Sequence, residues 1–347
     1  MIHVGDCIEV MRRLEAGSVQ TCVTSPPYFG LRDYGHDGQI GLEATPEAFV
    51  AKMVEVFREV RRLLRDDGTL WLNLGDSYAS SGATDSRESN RTSTPGAGVI
   101  PRSAKRSAPT PLGLKQKDLI GIPWRVAFAL QADGWYLRQD IIWSKPNPMP
   151  ESVRDRCTKA HEYLFLLSKS PRYHFDAEAI KEPAAASSVA RLAQNVEAQK
   201  GSDRVPGKTN GPMKAVRSAA NSFKREGSKR EQAIPGQAVG THRPDREESD
   251  YDIDMRNKRS VWNVATKPFR EAHFATFPEE LIEPCILAGA RAGDLVLDPF
   301  MGAGTTAVVA DRLGRRFVGA ELNPAYAAIA EKRLRDGQPG LALGDAA

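Results

Sequence analysis

The sequence has few cysteines and no long apolar run, and both absences narrow the class of protein. Its four cysteines, at positions 7, 22, 157 and 285, form no CxxC pair, so neither a disulfide framework nor a zinc site is expected. No run of 18 apolar residues occurs, and residues 1–6 contain no basic segment leading into an apolar stretch, which argues against a membrane span and a secretory signal. We therefore predict a cytoplasmic protein with reduced thiols, no metal and no membrane association.

The charge of the chain is small but unevenly distributed. The 347 residues are 41% hydrophobic and carry a net charge of +4, so a large hydrophobic core is expected. Residues 77–118 carry +4 and residues 183–243 carry +7, and the rest sums to −7. Both basic stretches are rich in small and polar residues. We interpret them as insertions, which are either solvated linkers or surfaces for a polyanion.

The remainder of the chain alternates two kinds of pattern. Short apolar runs typical of buried strands occur at 19–23, 70–74, 141–143, 163–167, 295–297 and 317–320. Apolar residues recur with helical spacing in 46–65, 278–290, 304–313 and 324–334. Strands alternating with helices predict an α/β fold with a mostly parallel sheet that is covered on both faces.

A glycine-rich turn follows the apolar run 295–297. It reads Asp298-Pro-Phe-Met-Gly-Ala-Gly-Thr-Thr306, and such glycines let a backbone approach a ligand while the next helix start offers free N–H groups. No Lys-Ser or Lys-Thr pair follows, which disfavours a P-loop. Taken alone, such glycines more often meet only the steric requirement of a tight turn and imply no ligand. Glu321, 23 residues after Asp298 at the end of another strand, has the spacing of a carboxylate that binds ribose hydroxyls, and together the two features favour a nucleoside cofactor.

A second motif, Thr24-Ser25-Pro26-Pro27-Tyr28, follows the apolar run 19–23. The two prolines fix φ and remove N–H donors, so the carbonyl groups there are free to face a cleft as acceptors. Tyr28 adds a flat face, and this combination suits a planar base with an exocyclic amine. The alternative is an ordinary rigid turn after a strand.

These segments together resemble the β-class of S-adenosylmethionine-dependent DNA amino-methyltransferases, a circularly permuted family that modifies cytosine N4 or adenine N6. The resemblance covers nearly the whole compact part of the chain. The segments that carry it are 4–6, 24–28, 143–147, 161–163, 273–278, 298–305 and Glu321. The catalytic motif precedes the cofactor motif, which is the order that defines the permuted class.

The resemblance implies a Rossmann-like, mixed seven-stranded sheet with helices on both faces and the cofactor above the carboxyl ends of its strands. It assigns S-adenosylmethionine to a site formed by Asp6, Thr24, Phe277, Pro278, Asp298, Pro299, Phe300, Gly302, Gly304, Thr305 and Glu321. Within this set, residues 298–305 would surround the methionine end, Glu321 the ribose and Asp6 the adenine edge. Phe277 and Pro278 would close over the cofactor. Two alternatives stay open, since Asp6 also suits a helix cap and Phe277 a core position.

The same resemblance assigns catalysis to Ser25, Pro26, Pro27 and Tyr28. The Ser25 hydroxyl and the Pro26 carbonyl would accept the two amine hydrogens of a flipped base, while Tyr28 replaces the lost stacking. Family members with Ser at the first position usually modify cytosine N4, so Ser25 favours cytosine, and adenine N6 is the alternative. Carbon-5 methylation would need a cysteine nucleophile. Cys285 lies in an amphipathic stretch far from this motif and is interpreted as a core residue.

The implied organisation is a methyltransferase domain with insertions. Residues 1–182 form its catalytic part, with a mobile insertion at about 77–118, and residues 259–347 form the cofactor-binding part of the same domain. Residues 183–258 are expected to recognise double-stranded DNA, and the protein is expected to be a monomer or homodimer. A nicotinamide-dependent dehydrogenase is disfavoured because its glycine-rich turn usually opens the domain. A non-catalytic nucleic-acid-binding protein is disfavoured by the two intact motifs.

Overall fold

The computed structural model describes residues 1–31, 36, 38–79, 113–192, 254–267 and 277–337. Contacts divide the chain into two units, one of residues 1–179 with 259–347 and one of residues 180–258. Its elements are β1 Ile2–Val4, α1 Cys7–Arg12, β2 Val19–Thr24, α2 Pro46–Leu63, β3 Leu64–Leu74, α3 Ile122–Ala132, β4 Tyr136–Ser144, β5 His161–Ser168, β6 Glu182–Pro183, α4 Ala186–Leu192, β7 Met255–Arg256, β8 Val261–Asn263, α5 Glu279–Gly289, β9 Leu295–Asp298, α6 Thr305–Arg312, β10 Arg316–Glu321 and α7 Pro324–Gly337.

The first unit is built on a mixed eight-stranded sheet in the order β1-β10-β9-β2-β3-β5-β4-β8. The first five strands in this order, β1, β10, β9, β2 and β3, run parallel to one another. Strand β5 is antiparallel to both of its neighbours, β3 and β4. The α/β class and the mixed sheet are thereby confirmed. One strand more than the expected seven is present, because residues 261–263 pair with the end of β4. Three residues are too short a run to give a strand signal in the sequence.

Helices cover both faces of this sheet. On β3, Leu70, Leu72 and Leu74 point to one face, where they join the apolar core formed with α1, α2 and α3. Trp71 points to the other face, towards α5, because side chains alternate along a strand. The approach there is close: a Cβ on Gly289 of α5 would lie 3.0 Å from the Trp71 indole nitrogen. The buried strands predicted from the sequence all lie in this two-sided core.

The helices begin and end close to where the sequence predicted. Helix α2 starts with Pro46 after Thr45, whose side chain accepts a hydrogen bond from the backbone N–H of Ala48, as an N-cap residue does. The predicted helices 278–290, 304–313 and 324–334 correspond to α5, α6 and α7. No helix within the described residues is both long and apolar enough to cross a bilayer.

The second unit is described only at its two ends. Strands β6 and β7 pair antiparallel, and Glu182 and Arg256 form an ion pair across them at 3.0 Å. The predicted recognition region 183–258 falls within this unit, and its residues 193–253 lie outside the described part of the chain. The same holds for 80–112 of the predicted insertion at 77–118.

Candidate active site

A cavity of about 300 Å³ lies at the carboxyl ends of the parallel strands in the first unit. Segments that follow β1, β2, β9 and β10 all contribute to its wall, and open α/β sheets bind their ligands in this position. Of the residues predicted for the site, eleven line the cavity: Asp6, Ser25, Pro26, Pro27, Tyr28, Phe277, Pro299, Phe300, Gly302, Thr305 and Glu321. Four of the predicted residues lie outside the lining: Thr24, Pro278, Asp298 and Gly304. The structure thus brings together two motifs that lie at opposite ends of the chain.

Asp298 connects the two motifs from behind the cavity wall. Its carboxylate is 1% exposed. Oδ1 accepts hydrogen bonds from the Thr24 hydroxyl at 2.6 Å and the Phe300 N–H at 3.0 Å, and Oδ2 accepts one from the Thr306 hydroxyl at 2.7 Å. Asp298 lies outside the cavity lining and accepts three internal hydrogen bonds, so its assignment to the methionine end of a cofactor stays a prediction. Asp298 therefore holds the residue before Ser25 in register with the glycine-rich turn.

Burial also sets the protonation of this group. Removal from water raises the pKa of Asp298 to about 6, although the hydrogen bonds from Thr24, Thr306 and Phe300 oppose the shift. Ionised carboxylates in such places are tolerated only when donors surround them. Three donors surround Asp298, and the connection between the motifs is consequently a charged one near neutral pH.

The two glycines of the turn have different functions. Both have positive φ, +52° at Gly302 and +80° at Gly304, which favours glycine. A Cβ on Gly302 would meet only the Phe300 carbonyl oxygen, at 3.9 Å, and the residue lines the cavity. A Cβ on Gly304 would lie 2.6 Å from the Cβ of Ala330 in α7. Gly302 thus leaves room for a ligand, whereas Gly304 lets α6 and α7 pack together.

Glu321 ends β10 with its carboxylate at the cavity. Its Oε2 accepts a hydrogen bond from the Gly302 N–H at 2.7 Å and its Oε1 accepts one from the Asn323 N–H at 2.8 Å. Burial raises the pKa of Glu321, and these two backbone donors oppose that shift. The side chain is thus fixed against the glycine-rich turn, with remaining acceptor capacity on both oxygens.

The sequence left two interpretations open for Asp6, a helix cap or a site residue, and two for Phe277, a core or a site residue. Asp6 caps α1, since its Oδ1 accepts from the N–H groups of Ile8 and Glu9 at 2.9 and 3.0 Å, and it also lines the cavity. Phe277 is half-buried in the cavity wall. Pro278 is buried at the N-cap of α5. The helix cap is therefore a real function of Asp6 that leaves its position at the site unchanged.

Tyr28 is held by a polar network. Its hydroxyl donates to Glu162 Oε2 at 2.7 Å and lies 3.2 Å from Asn73 Oδ1. Glu162 Oε1 forms an ion pair with Lys145, and the Lys145 nitrogen lies 4.2 Å from the centroid of the Trp143 ring. All five side chains line the cavity. Sequence reasoning did not place Asn73, Lys145 or Glu162 in the site, although the last two belong to segments that carried the family resemblance.

Comparison with known proteins shows the family to which this chain belongs. The family described as DNA methylase, the N6/N4 methyltransferases, matches residues 19–332. The chain is 45% identical over 331 residues to the Type II methyltransferase M.Cfr9I of Citrobacter freundii, an alignment that covers 95% of this chain and 86% of that protein. The chain belongs to the N6/N4 DNA methylase family. This DNA methylase thus carries its two motifs within the span by which the family is defined.

Solved structures share the fold of this DNA methylase. The PvuII DNA methyltransferase, which is cytosine-N4-specific, aligns with a TM-score of 0.58 at 17% identity and covers 98% of this chain and 87% of its own. TTHA0409 from Thermus thermophilus, solved in complex with S-adenosyl-L-methionine, aligns with a TM-score of 0.53 at 23% identity and covers 98% and 94%. At such identities these two comparisons describe the architecture alone.

Two cysteines of this DNA methylase, Cys22 and Cys285, lie in its core. Cys22 and Cys285 are 0% exposed, and burial raises the pKa of the Cys22 thiol. Cys285 lies within α5, where its thiol contacts the Leu281 carbonyl at 3.5 Å. Since a thiolate is the reactive form of cysteine, the interpretation of Cys285 as a core residue agrees with the structure.

Proposed function

We propose that this DNA methylase is a permuted β-class enzyme that transfers a methyl group from S-adenosylmethionine to the exocyclic N4 amine of a cytosine in double-stranded DNA. The observation that carries the proposal is the shared cavity. The Ser25–Tyr28 turn and the Pro299–Thr305 turn form parts of one wall, so an amine held by the first is next to a cofactor held by the second.

The residues at the glycine-rich turn fit the cofactor. Gly302 leaves open space at the cavity, Glu321 presents carboxylate oxygens suited to ribose hydroxyls, and Phe277 offers an apolar surface. The complex of TTHA0409 with S-adenosyl-L-methionine supports this assignment by its similar fold. When bound, S-adenosylmethionine supplies an electrophilic methyl group on a sulfonium. Asp298 contributes indirectly, through the position of Phe300 and Thr24.

The catalytic turn then acts by positioning and hydrogen bonding. The exocyclic amine of a base is a poor nucleophile because its lone pair is delocalised into the ring. The Ser25 hydroxyl and the Pro26 carbonyl accept its two hydrogens and thereby localise the lone pair. Pro27 keeps the turn rigid. The target base must leave the duplex to reach the cavity, and the Tyr28 ring replaces its stacking partners.

Ser25 supports cytosine as the base. A hydroxyl accepts from the amine and also donates to a neighbouring ring nitrogen, whereas a carboxylate only accepts. The PvuII DNA methyltransferase, which has a similar fold, is cytosine-N4-specific. Adenine presents the same pair of groups at N6 and N1 and is the alternative base.

The deciding experiment is nucleoside mass spectrometry on unmodified DNA of mixed sequence after incubation with the protein and S-adenosylmethionine. We expect N4-methylcytosine. N6-methyladenine alone would overturn the choice of base, and 5-methylcytosine would overturn the mechanism. Ser25→Ala should lower product formation at least about tenfold, on the order of the loss of one transition-state hydrogen bond. Ser18→Ala, which changes a serine outside the cavity lining, is the matched control.

The basic region 183–258 is the proposed recognition element, because it carries excess positive charge outside the strand pattern. Lys224, Arg225, Lys229 and Arg230 are its densest basic cluster. Replacing all four by Gln should weaken DNA binding and reduce the slope of log affinity against log salt by about one per lost phosphate contact. Lys52→Gln on α2 serves as the control. An unchanged salt slope in the fourfold variant would contradict this assignment.

A further inference from the structure

We infer that Lys145, Glu162 and Asn73 are positioning residues that hold Tyr28 ready for a flipped base, an inference that rests on the proposed function. The three side chains come from β3, β5 and the residue directly after β4. Two of them form an ion pair at the cavity wall, and that ion pair acts on the reaction through the tyrosine hydroxyl.

The hydroxyl of Tyr28 makes hydrogen bonds within the protein. A phenol has one hydrogen to donate, and the 2.7 Å contact with the Glu162 carboxylate is shorter than the 3.2 Å contact with Asn73. The amide nitrogen of Asn73 donates to the Tyr163 carbonyl at 3.0 Å, which turns the amide oxygen towards Tyr28. The tyrosine therefore offers its ring to a ligand, while its hydroxyl serves as an anchor.

Glu162 is in turn fixed by its neighbours. Its second carboxylate oxygen pairs with Lys145, and the side chains of Glu162 and Lys145 are 15% and 17% exposed. Trp143 and Glu162 are directly paired across β4 and β5, so Lys145, directly after the end of β4, lies close to Glu162. Water competes less with this partly buried pair than with a fully exposed one, and removing one partner leaves an unpaired charge. The anchor is thus more rigid than a surface ion pair.

The ring of Tyr28 is confined on the side of β3. A Cβ on Gly75 would lie 2.4 Å from Tyr28 Cε2 and 3.1 Å from Cζ, so the ring rests directly against the glycine backbone. An anchored hydroxyl and a backbone contact together restrict the side chain to one orientation. A stacking platform that is already in place loses little entropy when the base arrives.

A double-mutant cycle separates this function from plain stabilisation of the fold. Variants Glu162→Ala, Tyr28→Phe and the pair are compared by single-turnover methylation at saturating DNA and S-adenosylmethionine. Glu162→Ala should lower the rate about tenfold in the parent protein, as expected for a lost charge-assisted hydrogen bond. It should lower the rate less than about twofold in the Tyr28→Phe background, because coupled residues are not additive.

Three further measurements complete the test. The dissociation constant for S-adenosylmethionine, from calorimetry, should stay unchanged in Glu162→Ala, and Glu162→Gln should recover part of the rate because an amide can still contact the hydroxyl. Glu59→Ala removes a comparable ion pair with Arg62 on α2, at 2.8 Å and outside the cavity lining, and should leave the rate unchanged. If Glu162→Ala does not fold, Glu162→Gln takes its place in the cycle, where its smaller rate loss should likewise shrink in the Tyr28→Phe background.

Equal rate losses in both backgrounds, or a parallel loss of cofactor affinity, would overturn the inference. The cycle is scored on whichever methylated base the parent protein forms. An adenine product would therefore overturn the choice of cytosine while the cycle still decided the function of Glu162.

Discussion

Asp298 offers a sharp prediction because internal donors contact both of its carboxylate oxygens. If it connects the motifs, Asp298→Asn should be nearly silent. The amide oxygen can accept from Thr24 and Phe300, and the amide nitrogen can donate to the Thr306 hydroxyl. Thr306 has a second acceptor in the Val23 carbonyl, at 3.3 Å, so its own hydrogen stays satisfied.

Asp298→Ala should behave differently. It leaves the Thr24 hydroxyl and the Phe300 N–H without an acceptor, and Thr24 is 1% exposed. These two orphaned donors, one buried and one partly buried, cost on the order of 2–4 kcal/mol of unfolding free energy, partly offset by the loss of a buried charge. At pH 7, where the parent carboxylate is charged, Asp298→Asn should cost less than about 1 kcal/mol, since every donor keeps a partner.

The pH dependence of the unfolding free energy gives a second test, because the direction of the change follows from the pKa of Asp298. The pKa of Asp298 rises from 3.8 to about 6 on folding, so the folded state binds its proton more tightly. Its contribution to stability is fully present below pH 3.8 and is lost as pH rises through about 6. The stability of Asp298→Asn relative to the parent protein should therefore increase between about pH 4 and pH 7.

Urea unfolding at both pH values and calorimetry of S-adenosylmethionine binding measure these effects. Unchanged cofactor affinity in a stable Asp298→Asn protein supports the connecting function. A stable variant with more than about tenfold weaker binding would show instead that the carboxylate contacts the cofactor. Equal destabilisation by Asp298→Asn and Asp298→Ala would refute the argument that the asparagine amide keeps a hydrogen-bond partner for each donor.

Three other substitutions test separate parts of the site. Gly75→Ala forces the Tyr28 ring to move, so methylation should slow about tenfold while calorimetry finds cofactor affinity intact; an unchanged rate would contradict the close packing. Gly304→Ala should lower the unfolding free energy by about 1–3 kcal/mol in urea titrations, because φ is +80° and Ala330 blocks the new methyl group. Cys285→Ala should keep its methylation rate and lose about 1 kcal/mol of stability, and loss of the methylation rate in a folded protein would restore a cysteine mechanism.

Local chemistry made much of this protein predictable. The helix α2 was visible because apolar residues recur every three or four positions, and Pro46 after a capping threonine marks its start. The turns at Ser25–Tyr28 and Asp298–Thr305 were visible because proline and glycine have local conformational signatures. The short strands β1 and β8 were missed, since three residues give no reliable period.

The sequence by itself thus determined the fold class and the two motifs, because periodicity and turn chemistry act between near neighbours in the chain. Only the tertiary structure decided how these parts meet. Thr24 bonds Asp298 across 274 positions and Tyr28 bonds Glu162 across 134. Such contacts are fixed by strand order and by burial in a dry interior, where each donor must find an acceptor. A single sequence carries no local sign of which distant partner that will be.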